Sequence, residues 1–171
     1  TMGAGQMCTN PGLILTIAGP ATEKLVEDIA ARLTAAPVGT LLGEGVLDNL
    51  SKGVQTLVQH GAQLMAGGQP GGGTGVCYQN TLLRVTGAKF LAAPEALQTE
   101  AFGAASLVVV AQNADELVQT LEHLEGNLTG CVYSATDGSD DALYDQVVTV
   151  LRPKVGRLLN DKMPTGVAVS S

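Results

Sequence analysis

The sequence predicts an α/β fold, with a mostly parallel sheet flanked by helices, and three observations predict it. Residues 107–111 (LVVVA) form an uninterrupted, β-branched apolar run, as a central parallel strand covered on both faces requires. Residues 13–17 (LILTI) form a second such run, fenced by Pro11-Gly12 and Gly19-Pro20. Around these runs, apolar residues recur at helical spacing, so strands and helices alternate along the chain.

In order, the strand over 13–17 leads into a helix with Thr22 as N-cap. Leu25, Val26, Ile29 and Leu33 share its apolar face, and Pro37 ends it. A second helical pattern, Val46, Leu47, Leu50, Val54, Leu57 and Val58, closes near Gly61. Residues 63–66 form a short strand running into 67–75 (GGQPGGGTG), which reads as a flexible surface linker. That stretch lacks the Gly-Lys-Ser/Thr ending of a phosphate loop. Residues 78–85 are strand-like and precede the run at 107–111. Asn113, with Glu116 three residues on, has the spacing of a capping box, and Leu117, Val118, Leu121 and Leu124 form the stripe of the helix it opens. A strand over 130–134 follows. Asp140 or Asp141 then caps a helix through Leu151, with Leu143, Val147 and Leu151 on its buried side, and a short strand covers 157–159. There is no internal repeat.

A length of 171 residues suits one domain, taken as 1–171. Hydrophobic residues make up 45% and charged residues only 15%, which predicts an apolar face that something else covers. A net charge of −7 argues against a nucleic-acid partner, because phosphate binding draws on clustered Lys and Arg. The apolar runs fall far short of the roughly 20 residues that a membrane-spanning helix needs. Cys8, Cys77 and Cys131 are too few and too widely spaced for a disulfide framework or a metal knuckle, so no metal is expected and a reduced cytoplasmic setting fits. Residues 1–6 (TMGAGQ) carry neither the basic nor the apolar region of a secretory signal.

Gly5-Gln6-Met7-Cys8-Thr9-Asn10-Pro11-Gly12 is the most informative stretch. Glycine ahead of the cysteine lets the backbone bend and a ligand approach, and the Asn-Pro-Gly turn fixes the chain behind it. A thiolate so presented is a strong nucleophile, and its attack on an aldehyde leaves an oxyanion that a backbone N–H stabilises. The same residues also suit a non-catalytic binding or scaffold domain in which Cys8 is a small buried hydrophobe. A third reading, a cysteine hydrolase or acyltransferase, needs His60 or His123 beside Cys8. Glu100, on its own, reads as a solvated carboxylate before a strand, and Phe102 as core packing.

Three stretches together bear a family resemblance. Gly5-Gln6-Met7-Cys8 resembles the Gly-Gln-x-Cys nucleophile motif of the aldehyde dehydrogenase superfamily. Its continuation, Thr9 to Leu13, is similar to the NADP-dependent branch that oxidises 2-oxoglutarate semialdehyde (2,5-dioxopentanoate). Glu100-Ala101-Phe102-Gly103 resembles the Glu-x-Phe-Gly segment, whose glutamate binds the nicotinamide ribose and whose phenylalanine flanks the ring. Gly156-Arg157-Leu158-Leu159-Asn160 and Pro164-Thr165-Gly166-Val167 are similar to the segment near the end of that branch. Ala104 stands where the family has Pro, and Asp161-Lys162 where the branch often has Gly or an apolar residue.

The resemblance implies the catalytic-domain fold of that family, Cys8 as catalytic nucleophile, Glu100 and Phe102 as coenzyme contacts, NADP or NAD as cofactor, and an aldehyde as substrate. It implies that the general-base glutamate, the oxyanion-hole asparagine and the coenzyme-binding domain lie upstream of Cys8, and an oligomerisation arm after Val169. On that reading the chain is truncated at both ends, inactive by itself, and part of a homo-oligomer when intact.

Overall fold

A computed structural model describes residues 2–162 of the chain. The Pro164 to Val167 motif lies outside the described residues. In chain order the elements are β1 (Leu13–Ile17), α1 (Pro20–Ala35), α2 (Glu44–Gln59), β2 (Gln63–Ala66), β3 (Thr81–Thr86), α3 (Gly87–Ala92), α4 (Pro94–Leu97), β4 (Ala105–Ala111), α5 (Ala114–Glu122), β5 (Asn127–Val132), α6 (Asp141–Leu151) and β6 (Val155–Asn160).

Four strands form one sheet in the order β1-β4-β3-β2. β4 runs parallel to both neighbours, with Leu13 opposite Leu107 and Leu83 also opposite Leu107, while β2 closes the edge antiparallel to β3. β5 and β6 make a separate two-stranded parallel sheet. The alternation of strand side chains, with both faces covered, explains why β4 is apolar from Leu107 to Ala111. Leu82, Val108 and Val110 point to one face, under Val26 of α1. Leu83, Val85, Leu107 and Val109 point to the other, where Leu50, Val54 and Leu57 of α2, Phe90 and Leu121 complete the larger core.

Local chemistry sets the helix ends, not always as the sequence predicts. Asn113 Oδ1 accepts from Glu116 N at 2.9 Å and the Glu116 carboxylate accepts from Gln112 N, so the capping box closes one residue further out on its return bond. Thr22 is not the cap of α1. Gly19 holds that place with Pro20 just inside the helix, and the buried Thr22 hydroxyl donates to Ile17 O instead. Leu25, assigned to the apolar stripe, is 42% exposed because only the line through Val26 reaches the sheet.

The stretch 67–75 is not a free linker. Gly71 N donates to Cys77 O and Gln79 N to Gln69 O, and Pro70 bridges Tyr78 antiparallel, so the stretch folds back on residues 77–79. β3 consequently starts at Thr81 rather than Tyr78. β5 begins three residues earlier than predicted and β6 two residues earlier.

Candidate active site

The turn that presents Cys8 is built on left-handed backbone. Gly3, Ala4 and Gly5 have φ of 57°, 54° and 71°, a region in which glycine rests without strain. Gln6 pins this turn to the 40–42 segment: its Nε2 donates to Gly3 O at 3.1 Å and Thr40 O at 3.2 Å, and its Oε1 accepts from Leu42 N at 2.7 Å. Asn10 N donates to Met7 O at 2.9 Å and closes the chain around Cys8 and Thr9. Leu107 N then donates to Gly12 O at 2.8 Å and Ser106 Oγ to Pro11 O at 2.6 Å, so the turn runs directly into the β1–β4 ladder. The Cys8 thiol ends up exposed, whereas Cys77 is 3% exposed and Cys131 is half-buried with its thiol donating to Lys162 O. The alternative in which Cys8 is a buried hydrophobe does not match this placement.

Glu100 and Phe102 lie between α4 and β4, and the fold brings them to the same place as Cys8. All three line one cavity of about 420 Å3, within the roughly 300–1,000 Å3 range of small-molecule sites. The contact between the two motifs is direct. A Cβ placed on Gly5 would fall 2.2 Å from Gly103 O and 2.5 Å from Ala104 N, so only glycine permits that approach. Asn10 Nδ2 adds a hydrogen bond to Gly103 O at 3.1 Å.

The Glu100 segment has no regular structure and is held from behind. Gly53, buried in α2, lets the helix come within 3.0 Å of Glu100 O and Ala101 Cα, measured from a Cβ built at that glycine. Gln98 spans to the turn before β5: Nε2 donates to His123 O at 3.0 Å and Oε1 accepts from Glu125 N at 2.7 Å. Sequence reasoning missed both residues. A glycine in the interior of an amphipathic helix was the available signal for Gly53, since it costs about 1 kcal/mol relative to alanine and calls for a packing reason. Gln98 carried no pattern.

Glu100 is exposed, and its carboxylate makes no hydrogen bond among the described residues, leaving both oxygens open to hydroxyl donors. Phe102 is half-buried at the cavity wall, in contrast to Phe90, which is fully buried in the core. The chemistry of this donor set suits the nicotinamide riboside end of a dinucleotide, an aromatic edge for the ring and a carboxylate for the sugar. His60 and His123 end α2 and α5, and each ring Nδ1 lies 2.9 Å from a carbonyl of the preceding turn, Thr56 O and Gln119 O respectively. Neither lines the cavity, so the hydrolase reading lacks its base.

Comparison with known proteins agrees with the motifs. The family model described as the aldehyde dehydrogenase family matches residues 1–148. Across 99% of its length the chain is 37% identical, over 172 residues, to alpha-ketoglutaric semialdehyde dehydrogenase 2 of Azospirillum brasilense, and covers 32% of that protein. It is 32% identical over 170 residues to the alpha-ketoglutaric semialdehyde dehydrogenase of Acinetobacter baylyi, again covering 32%. The chain therefore spans about a third of the length of these curated relatives. Among solved structures, lactaldehyde dehydrogenase from Escherichia coli superposes with a TM-score of 0.78 at 20% identity, over 96% of this chain and 34% of that one. A betaine aldehyde dehydrogenase from Staphylococcus aureus, solved with NAD+, gives 0.74 at 16% identity, over 94% and 33%. At these identities the structural likeness carries the fold.

Proposed function

The chain belongs to the aldehyde dehydrogenase family, and from that premise we propose that residues 1–171 are the nucleophile-bearing catalytic part of an enzyme that oxidises an aldehyde to a carboxylic acid. The observation that carries the reading is that Cys8 lines a single cavity with Glu100 and Phe102, which stand far from it in sequence. The Cys8 thiolate adds to the aldehyde carbon, a C–S bond forms, and the carbonyl π pair moves to oxygen, giving a thiohemiacetal. Bound NAD(P)+ supplies the hydride acceptor. As the oxyanion collapses, the carbon releases hydride with its electron pair and a thioester remains on Cys8. Water then adds to the thioester, the C–S bond breaks, and the acid leaves as the thiol is restored.

Glu100 binds the nicotinamide ribose in this reading, and Phe102 bounds the ring. The water-activating base, the coenzyme's phosphate contacts and the subunit contacts of a homo-oligomer are assigned to residues outside this chain. The substrate is 2-oxoglutarate semialdehyde, by analogy with the names of the relatives at 37% and 32% identity. No helix among the described residues is long and apolar enough to cross a membrane, and we place the enzyme in the cytoplasm.

Competitive alkylation of the folded chain near neutral pH, read by peptide mapping, tests the nucleophile. Cys8 is exposed and reacts first, well ahead of the buried Cys77. Modification of Cys8 no faster than that of Cys77 or Cys131 would remove the assignment.

A further inference from the structure

We propose that Asn10 is a positioning residue that sets the separation between the Cys8 thiol and the segment carrying Glu100 and Phe102. The proposal rests on the reading of Cys8 as nucleophile and of that segment as the coenzyme contact.

Asn10 stands two residues after Cys8 in the same closed turn. Its amide donates to Gly103 O at 3.1 Å, a bond that spans 93 residues of sequence. Gly103 directly follows Phe102 and is itself buried, and Asn10 lines the shared cavity. This is the one side-chain hydrogen bond between residues 5–10 and residues 98–103 among the described residues. The Ser106 to Pro11 and Leu107 to Gly12 bonds join β1 to β4 further along and remain whether or not Asn10 is present. The segment ahead of Gly103 has no helix or strand to hold its register with the thiol. Of its other anchors, Gly53 and Gln98 tie it to α2 and to the turn before β5, and the Gly5–Gly103 backbone contact packs it against the Cys8 turn without a side-chain hydrogen bond, so Asn10 supplies the directional tie between the two halves.

The chemistry separates what Asn10 controls from what it does not. Alkylation of Cys8 needs only the thiol, and coenzyme affinity needs only the Glu100 segment and the rest of the coenzyme site. Hydride transfer needs the thiohemiacetal carbon and the ring in register, so it alone depends on the distance between the two halves.

The experiment uses the longer enzyme, with its coenzyme-binding region, and the variants Asn10→Ala and Asn10→Asp. The aspartate keeps the shape but turns an acceptor toward the Gly103 carbonyl. Both variants are expected to lower the single-turnover rate of NAD(P)H formation by about tenfold or more, aspartate at least as much as alanine. The alkylation rate of Cys8 and the KM for coenzyme are expected to stay within about threefold. A hydride-transfer rate within about twofold of wild type in both variants overturns the proposal. So does a parallel fall of rate, alkylation, coenzyme KM and melting temperature, which marks a residue that only stabilises the fold. The Cys8→Ala variant is measured beside them. Dehydrogenase activity surviving in it overturns the nucleophile reading, a failure distinct from either Asn10 result.

Discussion

Gly5→Ala perturbs the point where the two motifs meet, and its cost follows from geometry. The added Cβ lies 2.2 Å from Gly103 O and 2.3 Å from Gly103 C, against ordinary carbon contacts of ~3.5 Å. The atoms in the way are backbone, so no side chain can swing aside, and the two segments must part by about 1 Å. Gly5 also has φ of 71°, a left-handed conformation that costs an L-residue roughly 1–2 kcal/mol. Forced overpacking adds about 1–3 kcal/mol. The sum, about 2–5 kcal/mol, is a large part of the ~5–15 kcal/mol that holds a domain folded. Urea unfolding reads it as a fall in midpoint at constant slope. Gly12→Ala is the matched control: it lies in the same segment, has no atom within 4 Å of its added Cβ and has no positive φ, so it is expected to stay within about 0.5 kcal/mol of wild type. A Gly5→Ala protein within about 1 kcal/mol of wild type, or a Gly12→Ala protein equally destabilised, would refute the claim that the Gly103 contact sets the cost.

Two further expectations follow from other features. Arg84 donates to both oxygens of Glu23 and holds that carboxyl below the usual carboxylate range. The folded chain therefore binds fewer protons there than the unfolded chain. The pair's contribution is present above the ordinary Glu value of ~4.3 and disappears as pH falls through the lower folded value. Glu23→Gln should lower the melting temperature slightly at pH 7, with the gap shrinking as pH falls below the ordinary Glu value, and a gap that widens on acidification would contradict this. Calorimetry of the chain alone with NAD(P)+ is expected to show no micromolar binding. Such affinity corresponds to about −8 kcal/mol, more than Glu100 and Phe102 can supply after the entropy of association is lost. A micromolar dissociation constant would mean that the coenzyme site is largely contained in this chain.

Much of the framework was legible because strong local signals and tertiary demands coincide. β1 falls on the predicted residues 13–17, where apolar β-branched side chains sit between two Pro-Gly punctuations. α2 and α5 follow their apolar stripes, and Asn113 caps as its spacing requires. α3 and α4 were not legible: six and four residues cannot establish a 3.6-residue period. α3 begins where Thr86 Oγ1 accepts from Lys89 N at 3.4 Å. The pairing of 67–75 with 77–79 also escaped detection, because glycine permits such backbone without encoding its partner. For the candidate site, the motifs pointed to Cys8, Glu100 and Phe102 singly. Their meeting depends on β1 lying beside β4, a non-local pairing that no local pattern records.

That pairing has a consequence for biosynthesis. The Asn10 to Gly103 bond spans 93 residues, and at roughly 5–20 residues per second a ribosome needs about 5–20 s to make the intervening chain. Throughout that interval the segment around Cys8 has neither its β4 neighbour nor the Glu100 segment to pack against. The apolar run LILTI emerges well before the β4 strand it pairs with, the kind of sequence that chaperones hold and that sticks to other nascent chains. Nascent-chain folding should thus register as a single late step, once residue 111 has cleared the exit tunnel.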